Sequence, residues 1–157
     1  MANTQSMCTS FLGELLSATH NFSSANPAQT ASTANVFKAA LYLASATVNA
    51  STTAYASSGE VSGTGYSPGG ITVTNATNPT ATNSSTTAGT GYWTPSASFV
   101  YTTVTLTTAF DCVLIYNSTN SNKAVSVHTF GSQTVTAGTF TLTMPTNDAS
   151  TGLIRIA

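Results

Sequence analysis

Apolar side chains recur at helical spacing in one place only. Met7, Phe11, Leu12, Leu15 and Leu16 fall on one face of residues 5–16, and Asn3 or Thr4 stands where a cap belongs. Residues 19–34 lose all periodicity, and His20, Asn21, Ser23, Ser24, Asn26, Pro27 and Gln29 predict a polar loop or extended arm. From Val36 the pattern turns to strands. Residues 36–43 are apolar on both faces around a single Lys38 and predict a central strand. Residues 51–70 predict a long structured loop, 71–75 a short strand, and 76–91, without a large aliphatic side chain, an exposed loop.

The second half is cleaner. Residues 99–107 alternate in and out with β-branched side chains, and 109–116 are apolar almost throughout, as for a strand covered on both faces. A turn of Asn and Ser at 117–122 leads into a hairpin partner at 123–130. Then come 133–136, a turn at Ala137-Gly138, 139–144, and a last strand at 152–156. The expected fold is all-β, a β-sandwich (jelly-roll-like) or Greek-key barrel, with one short N-terminal helix. Residues 1–34 form the helix and arm, and 35–157 the β-sandwich domain.

Composition changes the picture more than size does. Only seven of 157 residues carry a formal charge, three basic and four acidic, while Thr and Ser supply about a third of the chain. An average domain has roughly a quarter of its residues charged. Three cations leave no electrostatic footprint for nucleic acid or an anionic membrane, and no apolar run approaches a transmembrane span. Charge repulsion is the usual defence against association. A surface with so little of it points to a subunit covered by neighbours, against the alternative of a compositional habit of the source genome.

Candidate chemistry is sparse. Residues 1–16 have no basic start and no continuous apolar core, so they do not read as a secretory signal. Cys8 and Cys112 lack metal-type spacing and read as free buried thiols of a reducing compartment. His128 lies in an alternating strand and His20 in the polar linker. Asp111 and Cys112 are sequential in a strand and face opposite ways, which argues against a Cys112–His128–Asp111 nucleophile set. Two separated histidines and unpaired carboxylates offer no zinc or calcium site, and the Gly-rich phrases lack the lysine and the strand–helix frame of a phosphate loop. The expectation is a protein that is not an enzyme, with no cofactor and no metal. Tyr55, Tyr66, Tyr92 and Trp93 stand in or beside loops, where such rings anchor protein contacts, stack on sugars, or simply cover the ends of a sandwich.

Several phrases resemble small virion proteins encoded beside the head genes of tailed bacteriophages. They are Phe37-Lys38-Ala39-Ala40-Leu41-Tyr42, Ala50-Ser51-Thr52-Thr53-Ala54-Tyr55, and Glu60-Val61-Ser62-Gly63-Thr64-Gly65-Tyr66 with Pro68-Gly69-Gly70. With the C-terminal strands, the likeness covers most of the chain. It is similar to capsid decoration (cement) proteins, and the resemblance implies a non-enzymatic subunit made in the host cytoplasm and carried on the virion, at the capsid surface. Implied partners are the major capsid protein and the chain itself, as dimer or trimer. The candidate interface is Met7, Phe11, Leu12, Leu15 and Leu16 with Tyr55, Tyr66, Tyr92 and Trp93. A tail, adaptor or fibre component, a carbohydrate-binding β-sandwich, and a hydrolase remain as alternatives.

Overall fold

A computed structural model describes residues 2–22, 35–75, 77–82 and 89–157. In chain order the elements are β1 (Ser6–Met7), α1 (Thr9–Leu16), β2 (Phe37–Leu43), β3 (Ile71–Thr72), β4 (Thr80–Ala81), β5 (Gly91–Trp93), β6 (Phe99–Asn117), β7 (Lys123–Leu142) and β8 (Ile154–Ile156). The protein is all-β with one short helix. Five strands form one antiparallel sheet in the order β1-β7-β6-β2-β3, and three form a second in the order β4-β5-β8.

The apolar run on β6 sits where its pattern demands. Cys112 to Asn117 are all buried because β6 is flanked by β2 and β7 and covered on both faces, whereas Phe99 to Leu106 are buried only in part. Phe37 and Asn117 oppose each other on one face, which meets α1 and the second sheet. Lys38 and Tyr116 oppose each other on the other face, under the loop of residues 51–70.

The predicted breaks within the C-terminal strands are corrected. Residues 99–107 and 109–116 are one strand, and the expected turn at Ala137-Gly138 is a step inside β7. The register of the β6–β7 pair shifts at each of these places, as it does where an extra residue bulges out of one strand. Thr103 and Ala137 take left-handed φ values of 53° and 48° at two of the steps. The bulges bend the ribbon sharply. Phe130 and Phe140 lie ten residues apart, roughly 30 Å along a straight strand, yet their ring centroids are 5.2 Å apart. The ribbon curls until Tyr101 donates a hydrogen bond to the carbonyl of Ala39 (2.8 Å) and stacks near Tyr66. This curl gives the layering that a sandwich needs, without closing a barrel.

The helix is shorter than expected. Ser6 and Met7 pair with Val127 and Ser126 on the edge of β7, so the helix starts only at Thr9. Cys8 takes the capping position without a side-chain bond, and neither Asn3 nor Thr4 caps. Asn3 is buried instead. It donates to Leu43 O and to Asp111 Oδ1 and accepts from the Val48 amide, tying the N-terminal segment to the sheet. Within the expected exposed loop 76–91, Thr80–Ala81 is a strand, and residues 76 and 83–88 lie outside the described residues. Of the expected arm, residues 23–34 also lie outside them.

Candidate binding surface

One face of the sheet gathers an aromatic cluster from distant parts of the chain. Phe11 of α1, Phe22, and Phe37 of β2 surround His20, with the Phe22 and Phe37 rings stacked at 4.3 Å and Trp93 of β5 packed behind them, 4.7 Å from Phe22. Beside them a surface cleft of about 280 Å³ is lined by Phe11, Leu15, Phe22, Tyr92, Trp93 and Ile154, among others. Four of the expected interface residues therefore share one place. Trp93, however, is only 2% exposed and donates its indole N–H to Asn75 Oδ1 and Thr77 O, both at 3.1 Å. It is a packing anchor at a strand, and its face is not open for stacking on a ligand.

His20 is a correction to the polar-linker reading. Its side chain is wholly buried, with Nε2 2.7 Å from Glu14 Oε2 and Nδ1 3.1 Å from Asn117 Nδ2. Glu14 Oε1 takes Lys123 Nζ at 2.5 Å. Burial holds His20 below the ordinary histidine value, against the pull of the Glu14 carboxylate. Burial pushes the Glu14 carboxyl up, but hydrogen bonds from Lys123 and His20 outweigh it and hold it below the usual range.

On the opposite face Glu60 organises the loop. Its carboxylate accepts from Tyr55 Oη (2.6 Å), Tyr66 Oη (2.8 Å) and the Gly69 amide (2.7 Å). Burial, then the bond to Glu60, pushes both phenols up. Gly65 and Gly70 take φ of 79° and 72°, and a side chain on Gly70 would lie 1.8 Å from the Ala39 carbonyl. The Glu-Val-Ser-Gly-Thr-Gly-Tyr phrase thus fastens a loop to a sheet. Tyr55 and Tyr66 are half-buried parts of that fastening, with Tyr55 stacked on Tyr116 at 4.7 Å.

The surface left outside is apolar or hydroxyl-bearing. On α1 only Phe11 is buried, while Leu12 is 47% and Leu16 93% exposed. One turn apart, they make a short outward stripe. The expected single apolar face is thus split: Phe11 and Leu15 turn inward, Leu12 and Leu16 outward, and Met7 has left the helix for β1. The second surface is the outer edge of β7. Beyond the pairing with β1 at Ser126 and Val127, no described strand runs along it, and no residue between Lys123 and Asp148 carries a formal charge.

The nucleophile and base candidates do not meet. His128 opposes Val113 and Cys112 opposes Thr129, so the imidazole and the thiol lie on opposite faces. Burial lowers His128 to about 4 and raises Cys8 and Cys112 to about 11 and 12, helped by the nearby charges of Glu14 and Asp111 respectively. Among the described residues no three His, Cys, Asp or Glu side chains come together as a metal site, and no helix is long and apolar enough to cross a membrane. Sequence reasoning missed the Glu14–His20–Asn117–Lys123 group. The only local hint was Asn117-x-x-Asn120, a pair suited to hydrogen-bonding a turn. Compared with protein-family models, curated proteins and solved structures, the chain finds no match.

Proposed function

We propose that this chain is a non-enzymatic structural subunit of a phage virion, bound to the outside of the capsid lattice and stabilising it. The observation that carries this reading is the open edge of β7. From Gly131 to Leu142 it is uncharged, free of proline and mostly exposed. An edge like that invites strand pairing, and monomeric proteins usually guard it with charge, proline or a covering element. A subunit seated among neighbours has it covered. The stripe of Leu12 and Leu16 gives a second contact, and several weak contacts at once hold a subunit through avidity. Self-association along the β7 edge accounts for a dimer or trimer.

The glycan-binding alternative draws less support, because Trp93 is buried and Tyr55 and Tyr66 spend their hydroxyls on Glu60. Co-sedimentation with capsids stripped of minor proteins tests the proposal. The wild-type chain should pellet with them at a copy number that scales with the major capsid protein. A tail or adaptor component would show a handful of copies. Leu12→Asp with Leu16→Asp, and separately Thr134→Lys with Thr139→Lys, should each weaken binding by tenfold or more (~1.4 kcal/mol) while leaving the circular dichroism unchanged. Binding that ignores both pairs of changes would overturn the assignment of these surfaces.

A further inference from the structure

We propose that Glu14, His20, Asn117 and Lys123 form an acid-opened latch that fastens α1 to the β6–β7 turn. An eight-residue helix is marginal on its own, so its attachments decide whether it forms. Phe11 supplies one attachment. Leu15 and the Thr9 amide, bonded to the Ala50 carbonyl (2.9 Å), add to it. At the far end stands a chain of polar contacts from Lys123 through Glu14 and His20 to Asn117, continued by Asn117 Nδ2 to Asn35 Oδ1 (2.8 Å) and by Asn120 Nδ2 to Asn35 Oδ1 and the Thr19 carbonyl.

The latch accepts only a neutral imidazole. Asn117 Oδ1 takes the backbone amides of Thr119 (3.1 Å) and Asn120 (3.2 Å), and these donors are fixed by the turn. The amide of Asn117 therefore cannot be reversed, and its Nδ2–H must point at His20 Nδ1. That nitrogen is an acceptor, which leaves the ring proton on Nε2, donated to Glu14. A second proton at Nδ1 would set two donors face to face inside the protein. Turning Asn117 over would instead cost two hydrogen bonds in a turn whose Ser121 and Asn122 already hold left-handed φ of 50° and 56°.

The other groups facing the ring settle the direction of the effect. From α1 the Glu14 carboxylate favours protonation, but it is shared with Lys123 of β7, whose charge opposes it. Phe37 of β2, Phe11 of α1 and Phe22 present uncharged rings to it, and the Cys8 thiol, near enough to Glu14 to feel its charge, stays protonated. The closed latch thus binds its proton more weakly than free histidine. Its stabilisation is complete above the ordinary value of 6.5 and is lost as pH falls below it. Glu14, depressed in the closed form, loses its contribution at still lower pH, in the same direction. The latch is a property of the chain alone, whatever α1 touches.

Amide hydrogen exchange from about pH 7.5 to about pH 4.5, corrected for intrinsic rates, tests it. Protection of α1 should fall by up to ~10-fold per pH unit below the onset, as one coupled proton requires, while Val113 to Ile115 on β6, which exchange only on global unfolding, stay many-fold better protected than α1 at every pH. Asn117→Asp supplies a carboxylate that accepts from a protonated Nδ1 while still serving the turn, so its loss of protection should move to lower pH. His128→Gln should leave the α1 profile unchanged. The latch is overturned if α1 and β6 show the same protection at every pH, if Asn117→Asp leaves the profile where it was, or if His128→Gln removes the pH dependence of α1.

Discussion

Glu60 accepts three hydrogen bonds at the centre of the loop that covers one face of the sheet. Glu60→Gln presents an amide to donors that expect a carboxylate, and should cost about 1–3 kcal/mol, read from the urea midpoint of Tyr fluorescence. Thr103 carries the opposite kind of information. A β-branched residue at φ 53° is strained, so Thr103→Gly should stabilise by about 1 kcal/mol, seen as a raised Tm. The long strands β2, β6 and β7 are readable from alternation and apolar runs, because pleat periodicity is local, although the ends of β6 and β7 are not. His20 is not readable in this way. Its neighbours Asn117 and Phe37 come from elsewhere in the chain, and only the packed fold turns a histidine in a polar stretch into a buried one. For Trp93 the sequence leaves a surface anchor and a packing anchor both open, and it is Asn75 and Thr77, distant in sequence, whose acceptors let its indole go inside.

At the scale of elements, the sequence marks interruptions without saying what kind they are. Ala137-Gly138 looks like a turn and is a bulge, because the strand before it and the strand after it pair with the same partner. The difference is set by Phe110, Phe130 and Phe140, whose contacts bend the ribbon and are non-local. The β6–β7 turn is the true reversal. Two consecutive left-handed residues suit Asn-Gly better than Ser121-Asn122, so Ser121→Asn with Asn122→Gly should raise stability by about 0.5–1 kcal/mol, measured by thermal melting. The helix ends up short because β7 offers its edge to Ser6 and Met7, and pairing there outweighs the weak propensity of a first helical turn.

For the whole molecule, scarcity of charge concentrates its pH response in a few groups. His128, lowered to about 4 from an ordinary 6.5 by burial, is neutral in the folded state and charged more readily when unfolded. Stability should therefore be full above about pH 6.5 and decline from there to about pH 4. Denaturation at a series of pH values checks this, and His128→Gln should flatten part of the decline. The β6–β7 hairpin sets one further condition, on the order of events during synthesis. It is joined by a short local turn and can zip up by itself, but β1 has no strand partner, and Glu14 no Lys123, until residues 123–127 exist. On the ribosome residues 6–16 leave the tunnel before that strand partner is made, so β1 is seated late. Until then Met7 lacks the strand it pairs with, and together with the outward Leu12 and Leu16 it makes a stretch that a chaperone could hold and that a nascent neighbour could capture.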